Sequence, residues 1–168
     1  MEICLKMWQP EDRQELVRLC SNVDRSYLSD RLPDPYTPED ADSWLSMARD
    51  KEGQDGIFRA ITVDGVPVGN ITVERRAGVG RKDAEIGYLL MKDSWSKGIM
   101  TQAVEEICRI AFNELDVARI SGDVYSLNTA SRRVLEKNGF VLEGIRKNAL
   151  FRYGVLHDEC MYGKYRIE

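Results

Sequence analysis

Apolar and polar positions alternate along Glu2-Ile3-Cys4-Leu5-Lys6-Met7-Trp8, which predicts a first strand, and Gln9-Pro10-Glu11-Asp12 then starts a helix running through Cys20. Residues 32–38 hold three of the five prolines and break regular structure. Thr37-Pro38-Glu39-Asp40 offers an N-cap with proline at the first helical position, so a second helix is expected over 38–50. Two strands, 57–63 and 66–74, meet at Asp64-Gly65, a dipeptide suited to the positive backbone angles of a tight hairpin. From Ile86 to Met91 the chain is almost continuously apolar. That is the pattern of a strand covered on both faces at the centre of a sheet. Apolar residues at 99, 103, 107, 110 and 111 keep a helical period. A strand over 119–125 follows, then a short helix over 128–137 that ends at Asn138-Gly139, where glycine permits a left-handed C-cap. Strands over 140–146 and 157–166 complete the chain.

No repeat or linker divides these elements, and hairpins beside strand-helix-strand units predict an α/β or α+β sheet with helices on its faces. With 168 residues, 43% hydrophobic and 31% charged, the chain suffices for one sizeable core, so a single domain over 1–168 is expected. The net charge of -4 argues against affinity built on nucleic-acid phosphates and suits an amine-bearing partner better. Cys4, Cys20, Cys108 and Cys160 are widely spaced and His157 is the one histidine, so no metal site is expected. No apolar run approaches the roughly 18 residues of a membrane span, and the amino end lacks a signal pattern. A cytoplasmic protein with free thiols and no membrane partner is the expectation.

The most informative stretch joins the central strand to the next helix through Trp95-Ser96-Lys97-Gly98-Ile99-Met100-Thr101. A strand, a short loop with glycine and an amphipathic helix leave backbone N–H groups free at a positive helix end, a site for a pyrophosphate over 96–101. One glycine before a helix also describes an ordinary turn. The loop matches neither G-x-x-x-x-G-K-[ST] nor G-x-G-x-x-G, which lowers nucleotide-hydrolase and dinucleotide readings.

Trp95-Ser96-Lys97-Gly98-Ile99-Met100-Thr101-Gln102-Ala103 resembles the pyrophosphate loop W-G-K-G-[IY]-[AM]-T-E-A of the Rim-type branch of the GNAT acetyltransferases, which act on ribosomal-protein N-termini. Asn128-Thr129-Ala130-Ser131 through Glu136-Lys137-Asn138-Gly139-Phe140 resembles that branch's N-x-x-S-x-x-x-x-E-K-x-G-F segment. The likeness spans roughly 55–165 well and the amino-terminal third loosely. Ser96 stands where the branch usually has glycine, and Gln102 where it has glutamate. The resemblance implies a GNAT-like mixed, mostly antiparallel sheet of about six to seven strands, acetyl-CoA as cosubstrate, and transfer of acetyl to a primary amine without an acyl-enzyme. It places the coenzyme against Leu89, Leu90, Met91, Ser96, Lys97, Gly98, Ile99, Met100, Thr101, Asn128 and Ser131.

An amine attacks a thioester only when neutral, yet an alkylamine with a pKa of about 10 is mostly protonated at pH 7. Glu85 lies near where the family often carries the carboxylate that takes this proton, and it also reads as a solvent-facing residue at a strand end. Backbone N–H groups near Leu90 and Met91 would bind the thioester. Ser131 would protonate the departing sulfur, with Tyr125 as the second choice, while Asn128 and Ser131 also read as a simple helix cap. His157 reads as a turn residue over 154–158, Trp8, Trp44 and Trp95 as anchors, and Cys108 as a small core residue.

Two other classes compete: a noncatalytic acyl-CoA-binding sensor and a protein-interaction domain on the same fold. The acceptor is a peptide N-terminus or a small amine, contacted by 27–36 and by the turn at 153–158. Monomer and homodimer fit equally.

Overall fold

The structure is a computed structural model and describes residues 1–167. Seven strands form one sheet: β1 (Ile3–Met7), β2 (Gly56–Val63), β3 (Val66–Arg75), β4 (Asp83–Leu90), β5 (Arg119–Tyr125), β6 (Val141–Arg152) and β7 (Val155–Tyr165). Their order is β1-β2-β3-β4-β5-β7-β6, and every pair is antiparallel except β4 with β5. Helices α1 (Arg13–Asn22), α2 (Pro38–Lys51), α3 (Ile99–Glu114) and α4 (Thr129–Lys137) complete the α/β architecture.

Local chemistry explains the starts and turns. Thr37 and Asp40 form a reciprocal capping box: Asp40 N–H donates to Thr37 Oγ1 at 3.1 Å and Thr37 N–H donates to Asp40 Oδ2 at 2.8 Å. Asp64 (φ 50°) and Gly65 (φ 84°) both adopt left-handed angles, as a two-residue hairpin matched to strand twist requires. Side-chain alternation then sends two apolar sets to opposite faces. On one face Ile57, Ile61, Ile71, Val73, Ala84, Ile86 and Ile120 pack with Val104, Ile107, Cys108 and Ala111 of α3 and Leu135 of α4. Each fully buried Ile or Leu contributes about 1.5–3 kcal/mol, so this cluster dominates the stability of the sheet. On the other face a smaller cluster of Leu16, Cys20, Tyr36, Ala41 and Leu45 gathers α1 and α2. Trp44 meets Phe58 edge-on at 6.0 Å, and Trp8 Nε1 donates to Asn70 Oδ1 at 2.9 Å, which seats these helices over β2 and β3.

The feature that shapes the site is a split. β4 and β5 pair only over Asp83–Glu85 and Arg119–Ser121, although β4 continues to Leu90 and β5 to Tyr125. Beyond Glu85 the two strands part and open a gap in the middle of the sheet. Arg119 braces its closed end, donating to Asp83 Oδ1 at 3.3 Å on β4 and to Glu143 Oε2 at 3.0 Å on β6.

Three expectations change. The apolar run of β4 is not covered on both faces: Ala84, Ile86 and Leu90 are buried, whereas Gly87 is exposed and Glu85 and Leu89 are half-buried. The less buried positions are those on the face opposite α3. β6 runs to Arg152 rather than stopping at 146, because a register irregularity between Arg146 and Leu150 interrupts the ladder without ending it and pairing resumes beyond it. The hairpin turn therefore falls at Tyr153 (φ 49°) and Gly154 (φ 77°), so His157 lies inside β7 and not in the turn.

Candidate active site

Beyond β4 the chain passes through one 3-10 turn (Lys92–Ser94) and enters α3 through Gly98, the N-cap, at φ 77° and ψ 4°. No side chain caps this helix. Ile99 and Met100 bury their side chains in the core, and the backbone N–H groups of the first helical turn, with no preceding carbonyl to bind, point out of the helix end. Ser96, Lys97 and Gly98 are exposed around them, and a Cβ built on Gly98 meets nothing within 4 Å. The helix end is thus an open cradle of N–H donors fit for a phosphate group. Trp95 anchors the loop: its Nε1–H donates to the Leu90 carbonyl at 2.9 Å. Ser96 sits at φ 60°, which is why glycine suits this position in relatives of the loop.

The gap presents a second set of backbone groups. Met91 N–H donates to Val68 O at 2.8 Å, so it faces β3 and is spent. The alternation of an antiparallel ladder sends the Leu89 N–H the same way, and turns those of Tyr88 and Leu90 toward the side that β5 has left. Of the three sequence candidates Leu89, Leu90 and Met91, only Leu90 has its N–H directed into the gap.

Ser131 stands on the α3 side of the gap, 8% exposed. Its hydroxyl lies 2.5 Å from the Tyr88 hydroxyl. Burial pushes the Tyr88 phenol up to about 12, against the lowering effect of the Ser131 hydrogen bond, so Tyr88 stays a neutral proton carrier at physiological pH. Asn128 Oδ1 accepts from Ser131 N–H at 3.3 Å, the capping role weighed from the sequence. Tyr88 was missed by sequence reasoning. Its signal was available: a phenol in phase with Ile86 and Leu90 points into the core side of β4, where its hydroxyl needs a partner.

The other face of the gap carries a different set. Strand alternation places Glu85 of β4, Asp123 and Tyr125 of β5, and His157 and Glu159 of β7 on the face opposite Ser131 and Tyr88. Ser131 and Tyr125, two choices for one proton donor, therefore stand on opposite sides of the sheet. Tyr125 packs edge-on against His157 at 5.2 Å and beside Tyr27 at 5.4 Å. Glu85 Oε2 pairs with Arg76 Nη2 at 3.3 Å. Arg152 Nη2 donates to the Arg25 carbonyl at 3.2 Å, which ties the α1–α2 connection to the β6–β7 hairpin. Tyr27 of one segment expected to contact an acceptor and His157 of the other both pack on Tyr125, whereas Tyr36 is buried in the smaller cluster. Cys108 is buried, and its thiol is pushed up to about 11 by that burial, which leaves it no role as a nucleophile. Trp8 and Trp44 are packing anchors.

Residues 2–141 match the family model described as Acetyltransferase (GNAT) domain. The chain is a GNAT acetyltransferase. This acetyltransferase is 30% identical to YdaF of Bacillus subtilis strain 168, provisionally named a ribosomal N-acetyltransferase, over 99% of this chain and 92% of YdaF. YjcK of the same strain, provisionally named an N-acetyltransferase, is 36% identical over 76% of this chain and 72% of its own. Among solved structures, RimL, a ribosomal L7/L12 alpha-N-protein acetyltransferase in complex with coenzyme A, superposes with a TM-score of 0.84 at 22% identity. That superposition covers 97% of this chain and 93% of RimL. The acetyltransferase thus has the GNAT fold and resembles the Rim-type branch. Among its described residues no helix is long and apolar enough to cross a membrane.

Proposed function

We propose that this acetyltransferase moves acetyl from acetyl-CoA directly to a primary amine, that the acceptor is a protein N-terminal amine, and that residues 1–168 act as one catalytic domain. The observation that carries this reading is the split between β4 and β5, with an anion-binding helix end on one side and a carboxylate-bearing face on the other. In this reading the N–H groups of Ile99, Met100 and Thr101, beside Ser96 and Lys97, hold the pyrophosphate, and the Leu90 N–H donates to the thioester oxygen. Ser131, hydrogen-bonded to Tyr88, supplies the proton for the departing sulfur. Asn128 fixes Ser131 through the helix cap.

The choice of acceptor has a chemical basis. An α-amine with a pKa of about 8 is roughly one-quarter neutral at pH 7.5, whereas a lysine amine at about 10.4 is almost wholly charged. A carboxylate is a weak base, so it serves the first amine far better. The Rim-type likeness points the same way.

The test is release of coenzyme A thiol from acetyl-CoA in the presence of short peptides with free N-termini, the same peptides blocked at the N-terminus, polyamines and amino acids. Release with the free peptides alone supports the proposal. Release with polyamines or amino acids alone replaces the peptide by a small amine. Calorimetric binding of acetyl-CoA with no release for any amine favours the noncatalytic sensor.

A further inference from the structure

We infer that Glu159 is the carboxylate that receives the proton of the acceptor amine, a role for which the family resemblance puts Glu85 forward. The inference rests on the direct-transfer reading above. It concerns a residue beyond the 2–141 span that matches the family model.

Position comes first. Glu85 is the last β4 residue paired with β5, opposite Ser121, so it stands at the closed end of the gap. Glu159 of β7 pairs with Tyr125, four residues farther along β5, so it stands at the level of the open part of the gap, one strand back from it. An acceptor entering from the open end of the gap reaches the level of Glu159 before that of Glu85.

Environment comes second. The Glu159 side chain is 16% exposed and that of Glu85 is 40% exposed. Arg146 Nη1 on the edge strand β6 donates to Glu159 Oε1 at 3.2 Å, and Oε2 is left without a hydrogen-bond partner among the described residues. The charged and titratable groups that face Glu159 are Glu85 of β4 with its partner Arg76, Asp123 and Tyr125 of β5, Arg146 of β6 and His157 of β7. Tyr27 from the α1–α2 connection closes the aromatic row over Tyr125. Asp123, diagonal to Glu159 on the same face, has no ion-pair partner among the described residues and adds negative potential for an arriving ammonium.

Burial raises the Glu159 carboxyl above the ordinary carboxylate range, helped by Asp123 and Glu85 and opposed by Arg146. The direction suits a base, since a carboxylate of higher pKa takes a proton more readily.

The proton count closes. One ammonium proton passes to the Glu159 carboxylate, and the freed nitrogen pair forms the C–N bond as the C–S bond breaks. The nitrogen loses a second proton to water as the amide forms, and the thiolate gains one from Ser131, which water then reprotonates. Each turnover releases one proton to solvent, counting the return of Glu159 and Ser131 to their starting states.

The test compares E159Q, E159D and E85Q with the wild type, using a free-N-terminus peptide, with kcat/KM followed across pH and acetyl-CoA affinity followed by calorimetry. E159Q is expected to lower kcat/KM about a hundredfold or more, with acetyl-CoA affinity within about twofold of wild type. The acid limb set by Glu159 gives way to one at the amine's own pKa of about 8, so the deficit narrows as pH rises and the amine neutralises itself. E159D recovers part of the rate and moves the acid limb, and it carries the test if melting shows that E159Q is unfolded. E85Q lowers the rate less than about tenfold and keeps the acid limb. Wild-type rate and acid limb in E159Q, or an acid limb lost in E85Q and kept in E159Q, overturns the assignment alone. Absence of thiol release by the wild type with every amine overturns the direct-transfer reading, and the assignment falls with it.

Discussion

Replacing Gly98 by alanine separates the two demands placed on this residue, a left-handed backbone and an open approach for phosphate. At φ 77° a non-glycine residue costs about 1–2 kcal/mol, and the loss of unfolded-state freedom on replacing glycine returns about 0.4–1 kcal/mol. A methyl built there meets no atom within 4 Å, so no crowding adds to the cost in the free protein. The net destabilisation is about 1 kcal/mol, or a fall of about 2–4 °C in Tm for a chain of this size. Gly53 is the internal control, because it has φ 78° and equally open surroundings in the turn after α2, remote from the α3 cradle. G53A and G98A should therefore melt alike. They should differ toward acetyl-CoA: misdirecting one N–H that would meet a phosphate oxygen forfeits about 1.5–3 kcal/mol, which is about ten- to hundredfold in Kd. Calorimetry of both variants decides the matter. If G98A binds acetyl-CoA as tightly as G53A does, the helix end is not the pyrophosphate site.

Two further outcomes follow from contacts outside the loop. Y88F and S131A should each lower turnover while leaving acetyl-CoA affinity nearly intact, and the double variant should lose little more than S131A, because the two hydroxyls 2.5 Å apart act in series; fully multiplicative losses in single-turnover rates would refute the relay. The hydrogen bond from Arg119, and then that from Tyr165, hold the Glu143 carboxyl below its ordinary value of 4.5. Its stabilising contribution is present above about pH 4.5 and is lost as pH falls through the lowered folded value. The Tm difference between wild type and E143Q should thus hold from neutrality down to about pH 4.5 and shrink below it, and a pH-independent difference would show that the ion pair does not carry it.

Much of the fold was legible in the chain because its signals are local. Alternation fixed β1, the Asp64-Gly65 turn fixed the β2–β3 hairpin, and Thr37 to Asp40 fixed the start of α2, each within a few residues of the physics that enforces it. The cradle at Gly98 was legible for the same reason, since a strand, a short loop and an amphipathic helix in succession leave N–H groups free wherever they occur. Which side of the sheet a residue serves was not. Tyr125 and Ser131 lie close in sequence yet stand on opposite faces, and Tyr88 and Ser131 lie far apart in sequence yet share a hydrogen bond.

The sequence by itself determined the elements, the family and the loop that leaves N–H groups free at the start of α3. Tertiary structure alone decided where β4 and β5 part, which N–H groups face the opening, and which face of the sheet each carboxylate occupies. Those depend on strand register and on a break in pairing, and register is a contact between distant segments that no short stretch of residues encodes.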